Sequence, residues 1–193
     1  TLQRLARTFP VLAVTGPRQS GKTTLARALF ADKPYVSLAD PIERGFAEED
    51  PRGFLARFRT GAVFDEAQRW PALFSHLQGM VDADRAPGRF ILTGSQQFGL
   101  LAGVTQSLAG RVGMTRLLPL SAAELAGVAN GSLALDTLLW RGSYPALHTQ
   151  AVSPGDWFAS YVATYLERDV RQVLRERRAQ VERGQIHQRL VAA

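Results

Sequence analysis

The sequence predicts an α/β fold in which helices flank a parallel β-sheet. Five short apolar segments, centred near residues 12, 36, 63, 91 and 115, alternate with segments of helical periodicity. The first of them, Val11-Leu12-Ala13-Val14, is continuously apolar, which is typical of a strand buried on both faces of a parallel sheet. The chain has 193 residues and no cysteine, so it is long enough to bury a core without disulfides.

The first part of the chain supplies two strands and the helices around them. The pattern predicts a helix over residues 2–9, a strand over 11–14, a helix over 22–30 and a strand over 35–38. Asp40-Pro41 and Asp50-Pro51 each predict the start of a further helix. Asp is a preferred N-cap residue, and Pro fits the first helical position because its missing N–H is not needed there.

The next part supplies the remaining three strands, which the pattern places over residues 62–64, 90–92 and 112–118. Residues 100–109 predict one helix, and Ser121 with Glu124 forms a capping-box pattern that opens another. A third helix carries an apolar stripe at helical spacing, made of Leu73, Phe74, Leu77, Met80 and Val81.

The C-terminal part has a helical pattern of its own. Asn130-Gly131-Ser132 predicts its boundary, so we divide the chain into 1–129, a helical extension over 130–174, and a basic tail over 175–193. Ser153-Pro154 predicts the cap of the last helix. The predicted apolar side of that helix consists of Trp157, Tyr161, Val162, Tyr165 and Leu166.

Composition excludes several function classes. The absence of cysteine excludes zinc fingers, iron–sulfur clusters and thiol catalysis, and the three histidines lack ligand spacing. No apolar run is long enough to span a bilayer and no signal peptide is recognised, so we expect a cytoplasmic protein without a membrane partner. The net charge of +6 comes mostly from residues 171–193, which hold six Arg and two Glu. Nucleic-acid binding through this tail is therefore an alternative function.

A phosphate-binding loop is the sharpest motif. Residues 16–23 follow G-x-x-x-x-G-K-[ST] between a predicted strand and a predicted helix, where backbone N–H groups and the helix N-terminus attract phosphate. Lys22 is predicted to contact the β- and γ-phosphates, and the Thr23 hydroxyl to bind Mg²⁺. The alternative is a plain turn with an exposed lysine. The predicted cofactor-binding residues are Gly16, Gln19, Ser20, Gly21, Lys22, Thr23 and Thr24.

Two acidic residues end the third predicted strand. Asp65 at such a strand end is suited to hold Mg²⁺, and Glu66 to orient and deprotonate a water aimed at the γ-phosphate. The alternative is a helix cap followed by a solvated glutamate. Their position, about 40 residues after the phosphate loop, favours the catalytic interpretation.

Further polar residues are candidates for the same site. Ser95, with Thr93 as the alternative, follows the fourth strand and is predicted to sense the γ-phosphate or to hold the attacking water. Arg111 precedes the fifth strand and is predicted to neutralise transition-state charge, in its own chain or in a neighbouring subunit; the alternative is a structural arginine. Arg168 is interpreted as part of a solvated helix face.

As a set, these motifs resemble one family. The phosphate loop, Val36–Pro41, Asp50–Phe54, Phe64–Arg69, Ile91–Gln96 and Ser107–Arg111 look like those of prokaryotic AAA+-like ATPases that carry a C-terminal domain of unknown function. The resemblance runs from about Phe9 to Arg171. It implies a P-loop NTPase of the additional-strand class, with a five-stranded parallel sheet of order 5-1-4-3-2 and a short helical C-terminal extension.

The resemblance also implies roles for the site residues. Lys22 and Thr23 would bind phosphate and Mg²⁺, Asp65 would bind Mg²⁺ and Glu66 would be the catalytic base, while Arg111 falls where AAA+ proteins place an arginine finger. Such proteins usually continue into a further domain with a nuclease-like look. We therefore interpret the chain as truncated and its tail as disordered or aberrant.

The predicted function is Mg²⁺-dependent ATP binding with ATP hydrolysis, in a chain that can form a homo-oligomer. One alternative is a nucleotide-gated binding switch with little or no hydrolysis. A small-molecule kinase would need a basic lid over a second substrate, and no lid motif is present. The absence of an Asn/Thr-Lys-x-Asp motif for guanine favours ATP over GTP.

Overall fold

The computed structural model describes residues 1–95, 104, 106–128 and 134–166. The chain divides into two compact units, Thr1–Leu125 and Ala126–Ala193. Half of the helix predicted over residues 100–109, the boundary at 130–132, Arg168 and the tail over 175–193 lie outside the described residues.

The described chain alternates helices and strands as the sequence predicts. The elements are α1 (Leu2–Ala6), β1 (Val11–Thr15), α2 (Lys22–Leu29), β2 (Tyr35–Ser37), α3 (Pro41–Glu49), α4 (Pro51–Ala56), β3 (Ala62–Asp65), a 3₁₀ turn (Ala67–Arg69), α5 (Ala72–Ala83), β4 (Phe90–Thr93), β5 (Val112–Arg116), α6 (Ala122–Val128), α7 (Leu135–Arg141), α8 (Ala146–Thr149) and α9 (Pro154–Tyr161). A π-helical turn, Val162–Leu166, follows α9.

The five strands form one parallel sheet in the order β2-β3-β4-β1-β5. Read from the other edge this is 5-1-4-3-2, so the expected order is confirmed. β4 lies between β1 and β3, with Val14 opposite Thr93. All carboxyl ends meet at one edge, where ligands of open α/β sheets bind.

Both faces of the sheet are buried, which explains why its central strands are continuously apolar. Val11 and Ala13 face the large cluster that includes residues of α3, α4 and α5. Leu12 and Val14 face the second cluster, which α2 covers. Phe54 of α4 is fully buried and packs edge-on against neighbouring rings of the first cluster. The sheet thus forms a rigid platform for the loops at its carboxyl edge.

The helix starts follow the predicted caps. The Asp40 carboxylate accepts from the N–H of Ile42 at 2.8 Å, and that of Asp50 accepts from Gly53 at 2.9 Å. At α6 the capping box forms in both directions, with Ser121 N–H donating to Glu124 at 2.8 Å and Glu124 N–H to the Ser121 hydroxyl at 3.2 Å. These three predicted helix starts are confirmed.

In the second unit, aromatic rings hold the last helix. Trp157 and Tyr161 stack 4.9 Å apart, and Tyr144 packs 4.8 Å from Trp157. Ser153 occupies the N-cap of α9 without a side-chain hydrogen bond to the helix, and Val162 is 44% exposed. The predicted cap position is therefore confirmed, whereas Val162, which the pattern assigns to the apolar side of the helix, is exposed. None of the helices in the described ranges is both long and apolar enough to cross a bilayer.

Candidate functional site

The loop between β1 and α2 is wound into a tight nest. Gly16 has φ +148°, and a Cβ there would collide with the carbonyl oxygen of Leu117 on the neighbouring segment. Gln19 and Gly21 both adopt positive φ, 60° and 92°. A left-handed backbone at a residue other than glycine costs free energy and is concentrated at functional sites. Alternation of conformations in such a loop turns successive N–H groups to one side, which creates an anion-binding concavity.

Lys22 begins α2 with its ammonium group inside this loop. Its Nζ donates to the carbonyl oxygens of Gly16 and Pro17, at 3.1 and 2.7 Å, and the residue is buried. Burial lowers the pKa of Lys22, while the negative charges of Glu66 and Asp65 act to raise it. The cation and the N-terminus of α2 thus lie together where the sequence predicts phosphate.

The loop also fits phosphate at its remaining positions. The Ser20 hydroxyl is buried and has no hydrogen-bond partner among the described residues. A Cβ built on Gly21 meets no atom within 4 Å, so the loop is open on that side. Thr24 lies exposed in the first turn of α2. A buried polar group without a partner is costly, and a phosphate oxygen would supply the missing bond.

Asp65 at the end of β3 gathers hydroxyl groups from three elements. Its Oδ2 accepts from Thr23 at 2.9 Å and from Tyr35 at 2.8 Å, and its Oδ1 accepts from Thr93. Thr93 reaches it because β4 lies beside β3. Burial and the bond to the Asp65 carboxylate, together with its charge, raise the pKa of Tyr35 to about 12. The phenol therefore remains a neutral donor.

This donor set fits a magnesium ion. The Thr23 hydroxyl and the Asp65 carboxylate are hard oxygen ligands, and Mg²⁺ usually binds one or two such protein groups together with waters and substrate phosphates. Within the described ranges, no group of three or more His, Cys, Asp or Glu residues could hold a metal by itself. A cation at Thr23 and Asp65 would share its remaining positions with phosphate oxygens.

Glu66 follows Asp65 with a left-handed backbone, φ 54° and ψ 44°. The amide nitrogen of Gln68 donates to Glu66 Oε2 and, at 3.3 Å, to the hydroxyl of Ser95. Ser95 is fully buried. The structure thus brings Glu66 and Ser95 together through Gln68, whereas Thr93 is engaged by Asp65.

Arg111 lies at the opposite edge of the sheet. Its carbonyl oxygen accepts from the N–H of Val11, the first residue of β1, whereas the phosphate loop follows the last. Five residues at about 3.3 Å each separate these edges by roughly 16 Å. The guanidinium binds the Asp82 carboxylate at 2.6 and 2.9 Å. In this conformation Arg111 is therefore too distant to act on the phosphate loop of its own chain.

Three contacts of this site and its surroundings escaped the sequence patterns: those of Tyr35, Gln68 and Asp82. Tyr35 and Asp65 are 30 positions apart, and Asp82 and Arg111 are 29 apart. Gln68 lies in the turn that follows Glu66, two positions along the chain. This short separation is the one sequence feature that could have indicated a contact between the two side chains.

The sheet order and the loop that carries Lys22 define a P-loop nucleoside-triphosphatase fold. A family model described as an AAA domain matches residues 8–126, more than half of the chain, and the chain belongs to that family. A second model, a domain of unknown function, matches residues 132–187 and so includes part of the region interpreted as a tail.

Two curated relatives have the same likeness to this chain. They are the uncharacterized proteins Mb2031c of Mycobacterium bovis and Rv2008c of Mycobacterium tuberculosis. Each is 35% identical over 176 residues, a match that covers 89% of this chain. The match covers 38% of the relatives' own length.

A solved structure supports the fold. The Walker-type ATPase paby2304 of Pyrococcus abyssi superposes with a TM-score of 0.56 at 16% sequence identity. The superposition covers 93% of this chain and 74% of the archaeal one. At this identity the likeness concerns the fold alone, and it agrees with the P-loop assignment.

Proposed function

We propose that this chain binds ATP together with Mg²⁺ and hydrolyses the γ-phosphate. The observation that carries the proposal is the 2.9 Å bond between Thr23 and Asp65, beside the buried ammonium group of Lys22. It joins the hydroxyl of the phosphate loop to the carboxylate at the end of β3. Membership of the AAA family supports the same function.

Nucleotide binding is assigned to the loop. The N–H groups of Gly16 and Gln19–Thr24 and the N-terminus of α2 would bind the phosphate oxygens, with Gln19, Ser20 and Gly21 shaping the nest. The ammonium group of Lys22 would contact the β- and γ-phosphates. Mg²⁺ held by Thr23 and Asp65 would neutralise charge that develops on the phosphates.

Hydrolysis is assigned to Glu66 and Ser95. Glu66 accepts a proton from a water whose oxygen forms a bond to the γ-phosphorus. The bond from that phosphorus to the bridging oxygen breaks, and its electron pair leaves with ADP. The Ser95 hydroxyl lies near Glu66 through Gln68 and is suited to contact the γ-phosphate or the water.

Arg111 is proposed to act on a neighbouring copy. Its position at the far edge of the sheet leaves it unable to serve its own chain, but it is suited to reach a phosphate loop across an interface between subunits. This role requires a homo-oligomer. When the oligomer assembles, the Arg111 guanidinium would exchange its bond to Asp82 for a bond to the nucleotide phosphate of the neighbouring subunit.

We also keep the division into residues 1–129, 130–174 and 175–193 as a proposal. The first part would hold the complete nucleotide site. The match to a domain of unknown function over residues 132–187 provides no activity for the rest. We also propose that the protein is cytoplasmic.

The test compares the parent with Lys22→Ala. We expect the parent to bind a fluorescent ATP analogue and to release phosphate only when Mg²⁺ is present. Lys22→Ala removes the cation that faces the phosphates, so we expect nearly complete loss of nucleotide binding. Lys33→Ala, which changes a half-buried lysine after α2, is the matched control and should bind as the parent does. Equal affinity in the folded Lys22→Ala variant would contradict the proposal.

A further inference from the structure

Gln68 occupies a position between two of the groups assigned to hydrolysis. It lies on the 3₁₀ turn Ala67–Arg69, and its amide nitrogen donates both to Glu66 Oε2 and to the Ser95 hydroxyl. The flanking residues Ala67 and Trp70 are buried and anchor the turn. The amide is therefore held against Glu66 by the packing of its own backbone.

The chemistry of Glu66 fixes which end of the amide faces it. An ionised carboxylate only accepts hydrogen bonds, so the NH₂ group of Gln68 must face Glu66 and the carbonyl oxygen must face away. That carbonyl oxygen, Oε1, is buried and has no hydrogen-bond partner among the described residues. A buried acceptor without a partner is costly and calls for an explanation.

We infer that Gln68 is a positioning residue for the hydrolytic water, an inference that rests on the proposed function. Its NH₂ group holds Glu66 and Ser95 in one array, and its Oε1 accepts a hydrogen bond from the attacking water. That water has two hydrogens. One is donated to Glu66, which takes the proton as the bond to phosphorus forms, and the other is donated to Gln68 and stays on the product phosphate.

The simpler alternative is that Gln68 only fixes the turn after β3. A structural role of that kind changes thermal stability or nucleotide affinity. A positioning role leaves the affinity unchanged and lowers the rate of the chemical step, because the water and the base are aligned only for reaction. The two roles therefore predict different measurements.

The experiment measures single-turnover ATP hydrolysis and binding of a fluorescent ATP analogue, using the full chain. Gln68→Met keeps the length of the side chain but removes the donor and the acceptor. We expect a rate loss on the order of 10²-fold with the dissociation constant changed less than about twofold. Gln78→Met makes the same change on α5 and should retain the parental rate.

Two further variants separate the parts of the array. Gln68→Glu keeps an acceptor but loses the donor to Glu66 and places a second carboxylate beside it, so it should be as slow as Gln68→Met. The double variant Glu66→Gln/Gln68→Met should be no slower than Glu66→Gln alone, because the two residues act on the same proton transfer.

The outcomes distinguish this inference from the proposed function. A parent that binds ATP without hydrolysing it overturns both. A parent that hydrolyses ATP, with Glu66→Gln slow and Gln68→Met at the parental rate, overturns this inference alone. A parental rate in Gln68→Glu would also overturn this inference. The same holds if the rate losses of Glu66→Gln and Gln68→Met multiply in the double variant.

Discussion

At the scale of single residues, Glu66 has a strained backbone at the position of the proposed catalytic base. A left-handed conformation costs an ordinary L-residue about 1–2 kcal/mol, and glycine adopts it readily. Glu66 nevertheless occupies it, with φ 54°, at the place where its carboxylate meets Gln68. The strain is reasonable only if the side chain is needed there.

We therefore expect Glu66→Gly to stabilise the fold while it abolishes hydrolysis. Relief of the strain should raise the free energy of unfolding by about 1 kcal/mol and the melting temperature by roughly 2–4 °C. Glu48→Gly in α3 is the control, because glycine inside a regular helix lowers stability by about the same amount. Thermal denaturation and phosphate release measure both effects. A lower melting temperature for Glu66→Gly than for the parent would contradict this account.

The sequence predicted those residues of the candidate site that a contiguous motif marks. Lys22 and Thr23 follow from the loop spacing, and Asp65 from its place at a strand end. The contacts of Tyr35 and Gln68 could not be predicted, because they depend on where side chains from separate elements meet. Periodicity predicts which face of a helix or strand is buried, but it does not predict which side chain of another element lies against a given residue.

At the scale of elements, the strands were predictable because both faces of the sheet are buried. The exception is β5, which ends at Arg116 rather than at residue 118. It lies at the sheet edge, where Met114 is 42% exposed, so apolar character no longer marks the strand end. The order of the strands came from the resemblance and not from periodicity, which does not determine which strands pair.

The helix caps give a prediction at this scale. Asp50 ends α3 and caps α4 through its bond to the N–H of Gly53. We expect Asp50→Ala to lower the free energy of unfolding by about 1 kcal/mol. Asp32→Ala, which removes an exposed carboxylate outside any helix start, should stay within about 0.5 kcal/mol of the parent. Denaturant titration compares the two variants, and equal stability would show that the Asp50 bond contributes nothing.

At the scale of the whole molecule, Arg111 raises the question of assembly. The residue is bound to Asp82 and lies at the edge of the sheet opposite the phosphate loop. The sequence placed it correctly before the fifth strand, but the distance to the loop depends on the direction of β1 and β5 in the folded sheet. This geometry therefore favours the proposed action in trans over action on the chain's own phosphate loop.

Mixed oligomers test that role. Arg111→Ala should bind ATP as the parent does but hydrolyse it slowly, because an arginine finger contributes up to about 10³–10⁵ in rate. A mixture with Glu66→Gln should regain activity, since one subunit then supplies the intact base and its neighbour the intact finger. With random assembly of equal amounts, about a quarter of the sites combine both, so we expect roughly a quarter of the parental rate.

Arg85→Ala is the matched control, because Arg85 contacts the same Asp82 carboxylate at 3.7 Å and should leave hydrolysis unchanged. The parental rate per chain should also rise with protein concentration as interfaces form. If mixing restores nothing and Arg111→Ala hydrolyses ATP at the parental rate, Arg111 is a structural arginine that holds α5 to the start of β5 through Asp82.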